Sequence, residues 1–250
     1  MIDDRFVLIG AQRSGTSYLY QVLDEHPEIA MAKPKFPEPK FFLDDSLYAL
    51  GKDYYEREYF RGTGTAHIYG EKSTSYYEYE ICARRMRECY PAMKILMVLR
   101  DPVDRALSNY FFSFRYGLEK RSPVEVFVDE IPSAGTCQNI STDPFNYLGR
   151  GEYLTFLKVY EKYFPRDQMM ILLFEELASN LKAITSLYSY LGASSSFVPE
   201  SLQSKINFQN ISYETVDKRV IKEISRYFVP YNMELEKYLG RKLDHWKKPA

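Results

Sequence analysis

Cysteine is scarce in this sequence: three residues in a chain of 250, with spacings that suit neither a disulfide framework nor a metal site. No apolar run is long enough to cross a membrane, and Met1 runs almost directly into an apolar segment, so we expect no signal peptide. These absences predict a soluble, cytoplasmic protein. A soluble catalytic domain trimmed from a membrane-anchored protein would look the same.

Neither sign of charge dominates, because the chain contains 33 Lys and Arg residues and 34 Asp and Glu residues. This balance excludes a protein whose whole surface binds nucleic acid or anionic membrane. The length suits one sizeable α/β domain, and the chain contains no internal repeat or low-complexity tract. We therefore predict a single domain over residues 1–250, with no nucleic acid among its partners and an oligomeric state that stays open.

Short apolar runs alternate with segments of helical periodicity along the chain. The runs predict buried strands at residues 5–10 and 94–99 and within 168–177, where the strand runs into a turn. A stiff, extended, proline-rich segment at 31–45 is predicted with a short strand at its front. Helices are predicted at 16–25, 75–89, 106–114, 151–165 and 179–192, and from about 213 to 239 with an interruption at Pro230. Strands that alternate with helices predict an α/β fold with a central parallel sheet flanked by helices.

The stretch "GAQRSGTS" follows the first strand and opens the first helix, as a P-loop-like phosphate-binding segment does. Gly10, Gly15 and Ser17 fit the pattern, but Thr16 occupies the position of its lysine, and the nearest cation is Arg13. A magnesium triphosphate needs that lysine, so the loop better suits one phosphate that carries a further anionic group. A glycine turn that only joins a strand to a helix is the alternative.

The stretch "LRDPVDRALS" places Arg100 at the end of a buried strand, where ligands bind in open α/β sheets. Ser108 follows eight residues later on the next helix, and together the two side chains suit a second phosphate. A structural ion pair between Arg100 and Asp101 or Asp104 is the alternative. We expect Arg105, on the same helix, to form a surface ion pair.

Four stretches, "GAQRSGTSYLYQVLDEHP", "EPKFF", "GEKSTSYY" and "LRDPVDRALSNY", together resemble the sulfotransferases that use 3′-phosphoadenosine 5′-phosphosulfate (PAPS). The similarity is greatest to the branch that contains the heparan sulfate sulfotransferases, and it continues more loosely along most of the chain. It implies PAPS as sulfuryl donor, 3′-phosphoadenosine 5′-phosphate (PAP) as product, and no metal. The implied donor-binding residues are Arg13, Ser14, Gly15, Thr16 and Ser17 for the 5′-phosphosulfate, and Arg100 and Ser108 for the 3′-phosphate.

The same resemblance implies three catalytic residues. Glu38, in "PEPKFF", stands where the heparan branch has its glutamate base, although Pro37 and Lys40 replace the lysine and histidine of the family's "K-E-P-H-F-F". Lys72, in "GEKSTSYY", stands where a lysine reaches the reaction centre. Arg13 occupies a position that is often lysine in the family, and a guanidinium presents its donors in a plane.

The acceptor is the least determined part of the prediction. Heparan-like motifs imply a hydroxyl on a saccharide or glycoconjugate; a lipid, polyketide or other small-molecule hydroxyl is the alternative. A magnesium-dependent nucleotide kinase, a non-catalytic nucleotide-binding module, and His67 as base are weaker alternatives. Residues considered for contact with the acceptor, against an ordinary structural role, are Tyr76, Tyr77, Tyr79, Arg115, Lys120 and Arg121.

Overall fold

The structure is a computed structural model that describes residues 4–62, 64–129, 143–178, 180–203 and 216–246. The chain divides into two compact units. One comprises residues 1–99 and 159–208, and the other comprises residues 100–158 and 209–250. The single domain expected from the sequence stays a prediction.

The first unit contains a five-stranded sheet in the order β2-β3-β1-β4-β5, and every neighbouring pair is parallel. The strands are β1 (Asp4–Gly10), β2 (Ile29–Met31), β3 (Ile68–Lys72), β4 (Lys94–Leu99) and β5 (Met169–Leu173). Leu8 of β1 lies opposite Lys72 on one side and Leu96 on the other. The parallel sheet flanked by helices that the sequence predicts is therefore confirmed.

Strand β3 was not predicted, because its sequence "IYGEK" ends in two charged residues and contains a glycine. That glycine permits a close approach: a Cβ atom added to Gly70 would lie 2.2 Å from Cζ of Phe6 in β1. Glu71 and Lys72 are both buried at the carboxyl end of the strand. The sequence signal for β3 is weak because polar contacts, and not apolar periodicity, keep its last residues inside the protein.

Helices occur in both units and are numbered in chain order. They are α1 (Thr16–Asp24), α2 (Asp45–Tyr48), α3 (Gly51–Tyr59), α4 (Glu80–Cys89), α5 (Pro102–Arg115), α6 (Tyr153–Glu161), α7 (Phe174–Leu177), α8 (Leu181–Leu191) and α9 (Lys218–Leu239). α4 begins later than residue 75, because Tyr76–Glu78 form a 3-10 turn ahead of it. In the parts of the chain that the structure covers, no helix is both long enough and apolar enough to span a membrane.

The core of the first unit is built from strands β1 and β4 and from the apolar faces of α1 and α8. Leu19 and Leu23 of α1 and Leu187 of α8 are fully buried in it. Each such side chain contributes roughly 1.5–3 kcal/mol on leaving water. This packing holds α1, and with it the loop that precedes α1, firmly at the carboxyl end of β1.

The second unit packs α5 against α9 around Val103, Leu107, Ile224 and Phe228. α5 begins at Pro102, earlier than the predicted residue 106, because the Asp101 carboxylate caps it by accepting the Val103 N–H at 2.9 Å. Proline is favoured in the first turn of a helix, where its missing N–H leaves no bond unmade.

Two expectations for the second unit are wrong. α9 continues through Pro230 without interruption; Pro230 is exposed, so water can satisfy the carbonyl that loses its helical partner, and buried Phe228 and Leu235 hold the helix on both sides. Arg105 is not on the surface: it is fully buried and donates to the Tyr147 carbonyl and, at 3.4 Å, to the Asn109 side chain.

Candidate functional site

The loop between β1 and α1 has an unusual backbone. Arg13 and Gly15 both have left-handed conformations, with φ of 66° and 86°. Only glycine adopts this region readily, so the Arg13 backbone carries strain of the kind that collects at ligand sites. A Cβ atom on Gly15 would also lie 2.2 Å from Cδ2 of Phe174. The loop therefore packs tightly against Phe174, the first residue of α7, which directly follows β5.

The same loop fits an anion. Gly15 is the N-cap of α1 and offers no side chain to the first-turn N–H groups, which can then donate to a ligand. The Ser14 side chain is fully buried, and its Oγ atom has no hydrogen-bond partner within the described part of the chain. A buried hydroxyl without a partner is costly, and a bound anion would satisfy it. Arg13 is half-buried and adds a full positive charge.

Glu38 and Lys72, which are 34 residues apart in sequence, form an ion pair in the first unit. The Lys72 side chain is 2% exposed and the Glu38 side chain 13%. Thr74 donates its backbone N–H to Glu38 Oε2 at 2.8 Å and its hydroxyl to both carboxylate oxygens at 3.1 Å. The Glu38 carboxylate is thus held in one orientation.

This pair lies at the sheet edge from which the β1–α1 loop also emerges. Lys72 ends β3, and the Ser73 N–H donates to the Leu8 carbonyl of β1 at 3.2 Å. The carboxyl ends of parallel strands form the common ligand-binding edge of α/β sheets. The structure thus brings the loop and the Glu38–Lys72 pair, both predicted from sequence motifs, to one edge of the first unit.

A buried hydrogen-bond network supports the segment that carries Glu38. The Ser73 hydroxyl donates to Glu71 at 2.5 Å and accepts the Lys40 N–H at 3.0 Å. Tyr55 donates to the other Glu71 oxygen at 2.7 Å. Burial raises the pKa of Glu71, while hydrogen bonds from neighbouring hydroxyls oppose that rise. Because Lys40 has a left-handed φ of 52°, this network holds a strained backbone two residues after Glu38.

Sequence reasoning did not identify Glu71, Ser73 or Thr74 as part of the site. All three lie within "GEKST", next to Lys72, and all three are buried. The available signal is the run itself: four of its five residues are polar, and it directly follows the apolar pair Ile68 and Tyr69. Polar residues at the carboxyl end of a strand are typical of ligand sites. That signal also fits an ordinary surface loop.

The predicted 3′-phosphate residues lie in the second unit. Arg100 directly follows β4, and its guanidinium lies 3.7 Å from the Asp104 carboxylate, which is the ion pair given above as the alternative. Its carbonyl accepts the Tyr153 hydroxyl at 2.7 Å. Ser108 is buried on α5. The side chain of Arg100 is 16% exposed, so its position is set by packing as well as by charge.

The histidines have different surroundings. His26 is buried, with Nε2 2.9 Å from the Ser194 carbonyl and Nδ1 accepting the Glu28 N–H at 3.1 Å, which is a structural role. His67 is exposed just before β3, at the strand end opposite Lys72. In the described residues no group of three or more His, Cys, Asp or Glu side chains is placed to hold a metal ion.

The residues considered for contact with the acceptor differ in their burial and partners. Tyr76 and Tyr77 are fully buried in the core and do not line an open cleft, whereas Tyr79 is half-buried. Arg121 pairs with buried Glu119 at 2.7 Å. Arg115 and Lys120 are exposed. Residues 130–142 of the segment 115–147 lie outside the described residues.

Comparisons with known proteins identify the family to which the chain belongs. A family model for the sulfotransferase domain matches residues 3–241. The heparan sulfate glucosamine 3-O-sulfotransferase 5 of Mus musculus is 27% identical, over 95% of this chain and 72% of that protein. The bifunctional heparan sulfate N-deacetylase/N-sulfotransferase 2 of Homo sapiens is 28% identical, over 75% of this chain and 22% of that protein.

The fold has a solved counterpart. The crystal structure of a sulfotransferase from Alicyclobacillus acidocaldarius is 29% identical and superposes with a TM-score of 0.78, covering 97% of this chain and 98% of that one. The match of the family model extends over nearly the whole sequence. The chain belongs to the sulfotransferase domain family.

Proposed function

We propose that the protein transfers a sulfuryl group from PAPS to a hydroxyl of a saccharide or glycoconjugate, with Glu38 as general base. The observation that carries this proposal is the fixed Glu38 carboxylate, held by Lys72 and Thr74 at the sheet edge where the anion-binding loop emerges. A base that is already oriented needs no reorganisation when an acceptor binds. The heparan sulfate relatives support a saccharide as the acceptor class.

The β1–α1 loop would hold the 5′-phosphosulfate of the donor. The first-turn N–H groups of α1, the Ser14 hydroxyl and the hydroxyls of Thr16 and Ser17 would donate to its oxygens, and Arg13 would supply a positive charge. When bound, PAPS supplies an activated sulfuryl group and a phosphate leaving group. Donors aimed at a site where negative charge develops are a large source of rate enhancement.

Glu38 would accept the proton of the acceptor hydroxyl, and Lys72 would serve two purposes. Its ammonium group holds Glu38 Oε1, and it adds a positive charge at the carboxyl end of β3. Together with Arg13, it is proposed to stabilise the charge that develops on the leaving phosphate oxygen. The proposed base contributes roughly 10²–10⁴-fold in rate, as positioned bases generally do.

Arg100 and Ser108 are proposed to bind the 3′-phosphate, which lies away from the reacting atoms. Their expected role is to bind and orient the donor, so Arg100→Ala should raise the dissociation constant for PAP more than it lowers kcat. The 3.7 Å separation between Arg100 and Asp104 is longer than a good hydrogen bond. In the proposal, a phosphate binds the guanidinium more strongly than this contact does, because it carries the larger charge and accepts forked hydrogen bonds.

The first test separates the base from the donor site. Purified protein is assayed with radiolabelled PAPS across saccharide, lipid and phenol acceptors, and PAP binding is measured by calorimetry. Glu38→Gln should reduce transfer at least about 10²-fold while PAP affinity stays the same. Glu88→Gln, an exposed glutamate on α4, is the control. Loss of PAP affinity in Glu38→Gln would contradict its assignment as base.

A second test addresses the magnesium-dependent kinase and the non-catalytic binding module. PAP should bind far more tightly than ATP, and transfer should continue in EDTA, because a loop without the P-loop lysine serves a triphosphate poorly. Equal affinity for ATP, or dependence on a divalent metal, would favour the kinase. Turnover of a lipid or polyketide hydroxyl in preference to every saccharide would replace the acceptor class and leave the donor chemistry intact.

Cytoplasmic location stays a prediction from the sequence.

A further inference from the structure

Phe36 is an exposed aromatic side chain beside the proposed base. It is 58% exposed and precedes Glu38 by two residues. Lys72 Nζ, which contacts the Glu38 carboxylate, lies 4.7 Å from the centre of the Phe36 ring. The ring and the base therefore share one neighbour. An exposed ring at this place offers an apolar surface to whatever approaches Glu38.

Lys35 adds a cation on the same segment. Its Nζ atom lies 5.9 Å from the centre of the Phe36 ring and 5.0 Å from the centre of the Tyr20 ring. Its hydrogen-bond acceptor is the neutral side chain of Gln21, at 3.5 Å. Within the described residues no carboxylate forms an ion pair with Lys35. Burial and the nearby Lys72 ammonium lower the pKa of Lys35, so a bound anion would relieve the repulsion that it experiences there.

Lys33 provides a contrast two residues earlier. Its ammonium group pairs with Asp24 at 2.5 Å and donates to the Tyr20 hydroxyl at 3.1 Å. The hydrogen bonds to Asp24 and Tyr20 overcome the effect of burial and raise the pKa of Lys33. Lys33 is already neutralised by a carboxylate, whereas Lys35 is not. The two lysines share a segment and neighbours, which makes Lys33 a matched control.

We propose that Phe36 and Lys35 position the acceptor and select for acceptors that carry an anionic group. The Phe36 ring would pack against the apolar face of a sugar ring, and Lys35 would bind a carboxylate or sulfate on that sugar. The inference rests on the proposed function, because it names the acceptor chemistry of the same site. Both residues act on binding and orientation, and Glu38 remains the group that takes the proton.

The experiment uses three small glycosides that differ in charge: methyl β-glucuronide, methyl β-glucoside and its 6-sulfate. Kinetic constants are measured with radiolabelled PAPS, and binding of each glycoside is measured by saturation-transfer NMR with and without PAP. Wild-type protein should prefer the two anionic glycosides. Lys35→Met should raise their KM roughly 10-fold, as expected for loss of a hydrogen bond to a charged group, and leave the neutral glucoside unchanged.

The control variants separate charge from stacking. Lys33→Met should leave every KM unchanged. Phe36→Ala should raise KM for all three glycosides by about 2–10-fold with kcat less affected, and Phe36→Tyr should restore it, because the alanine removes apolar surface that the sugar would cover.

Three results would overturn the inference: equal KM for charged and neutral glycosides in the wild type, an unchanged preference in Lys35→Met, or no binding of any of the three glycosides. Failure of the proposed function looks different. If PAP did not bind the wild type while glycoside binding still depended on Lys35, the donor assignment would be wrong and the acceptor inference would stand.

Discussion

Thr74 donates two kinds of hydrogen bond to Glu38: its backbone N–H reaches Oε2 at 2.8 Å, and its hydroxyl lies 3.1 Å from each carboxylate oxygen. Lys72, two residues before Thr74, contacts the same carboxylate. Three donors from one short segment therefore orient a glutamate that lies 34 or more residues away in sequence. The proposed base is held by contacts that no local pattern specifies.

Removal of the Thr74 hydroxyl should lower kcat with little effect on PAP affinity. In Thr74→Val the backbone N–H bond to Glu38 remains but the hydroxyl bond is lost, which costs about 1 kcal/mol, or roughly fivefold in rate. Thr74→Ser keeps a hydroxyl and should retain most of the activity. The measurements are steady-state kinetics and calorimetry with PAP. Equal kcat in Thr74→Val and the wild type would show that the hydroxyl does not position Glu38.

Substitution of Gly15 should destabilise the protein and weaken PAP binding. Gly51 has nearly the same backbone, with φ of 83° against 86°, but a Cβ atom there would meet nothing within 4 Å. Gly51→Ala should therefore cost only the left-handed backbone penalty, about 1–2 kcal/mol. Gly15→Ala adds the contact with Phe174, so its loss of unfolding free energy should be larger. Equal losses, measured by urea denaturation, would mean that the Phe174 ring moves aside without cost.

Glu71 should make stability fall as the pH rises. Burial raises its pKa above the ordinary value of 4.5, so the folded protein binds this proton more tightly than the unfolded chain does. The contribution is fully present below pH 4.5 and is lost as the pH rises through the folded pKa. The Glu71→Gln variant has no proton to lose at this position. As the pH rises through that window, the unfolding free energy of the wild type should therefore fall relative to that of the variant. A pH-independent difference would contradict this assignment.

Glu119 should show the opposite dependence. Burial acts to raise its pKa, but hydrogen bonds from Arg121, Tyr147 and the Lys120 N–H prevail and lower it to about 2. The stabilisation is therefore present above pH 4.5 and is lost as the pH falls towards about 2. Glu119→Gln should be less stable than the wild type at neutral pH, and the two should converge in acid. Thermal denaturation between pH 2 and 7 tests this, with Glu234→Gln on α9 as an exposed control.

Much of the fold follows from local pattern. Continuous apolar runs identify β1, β4 and β5, because strands covered on both faces must be apolar throughout. Helical periodicity identifies α1 and α8. The pattern is weaker where polar residues are buried: β3 was missed because Glu71 and Lys72 look solvent-exposed until Tyr55, Ser73 and Glu38 are placed around them.

The sequence by itself determined the family, the parallel α/β sheet and the identity of the residues proposed for the donor and the base, because motifs of local spacing and apolar runs carry that information. Only the tertiary structure decided that Lys72 pairs with Glu38, that Arg105 is buried, that α9 continues through Pro230, and that the Phe36 ring lies against Lys72. The physical reason is that burial and ion pairing depend on residues far apart in the chain, and spacing along one segment contains no information about which distant partner will meet it.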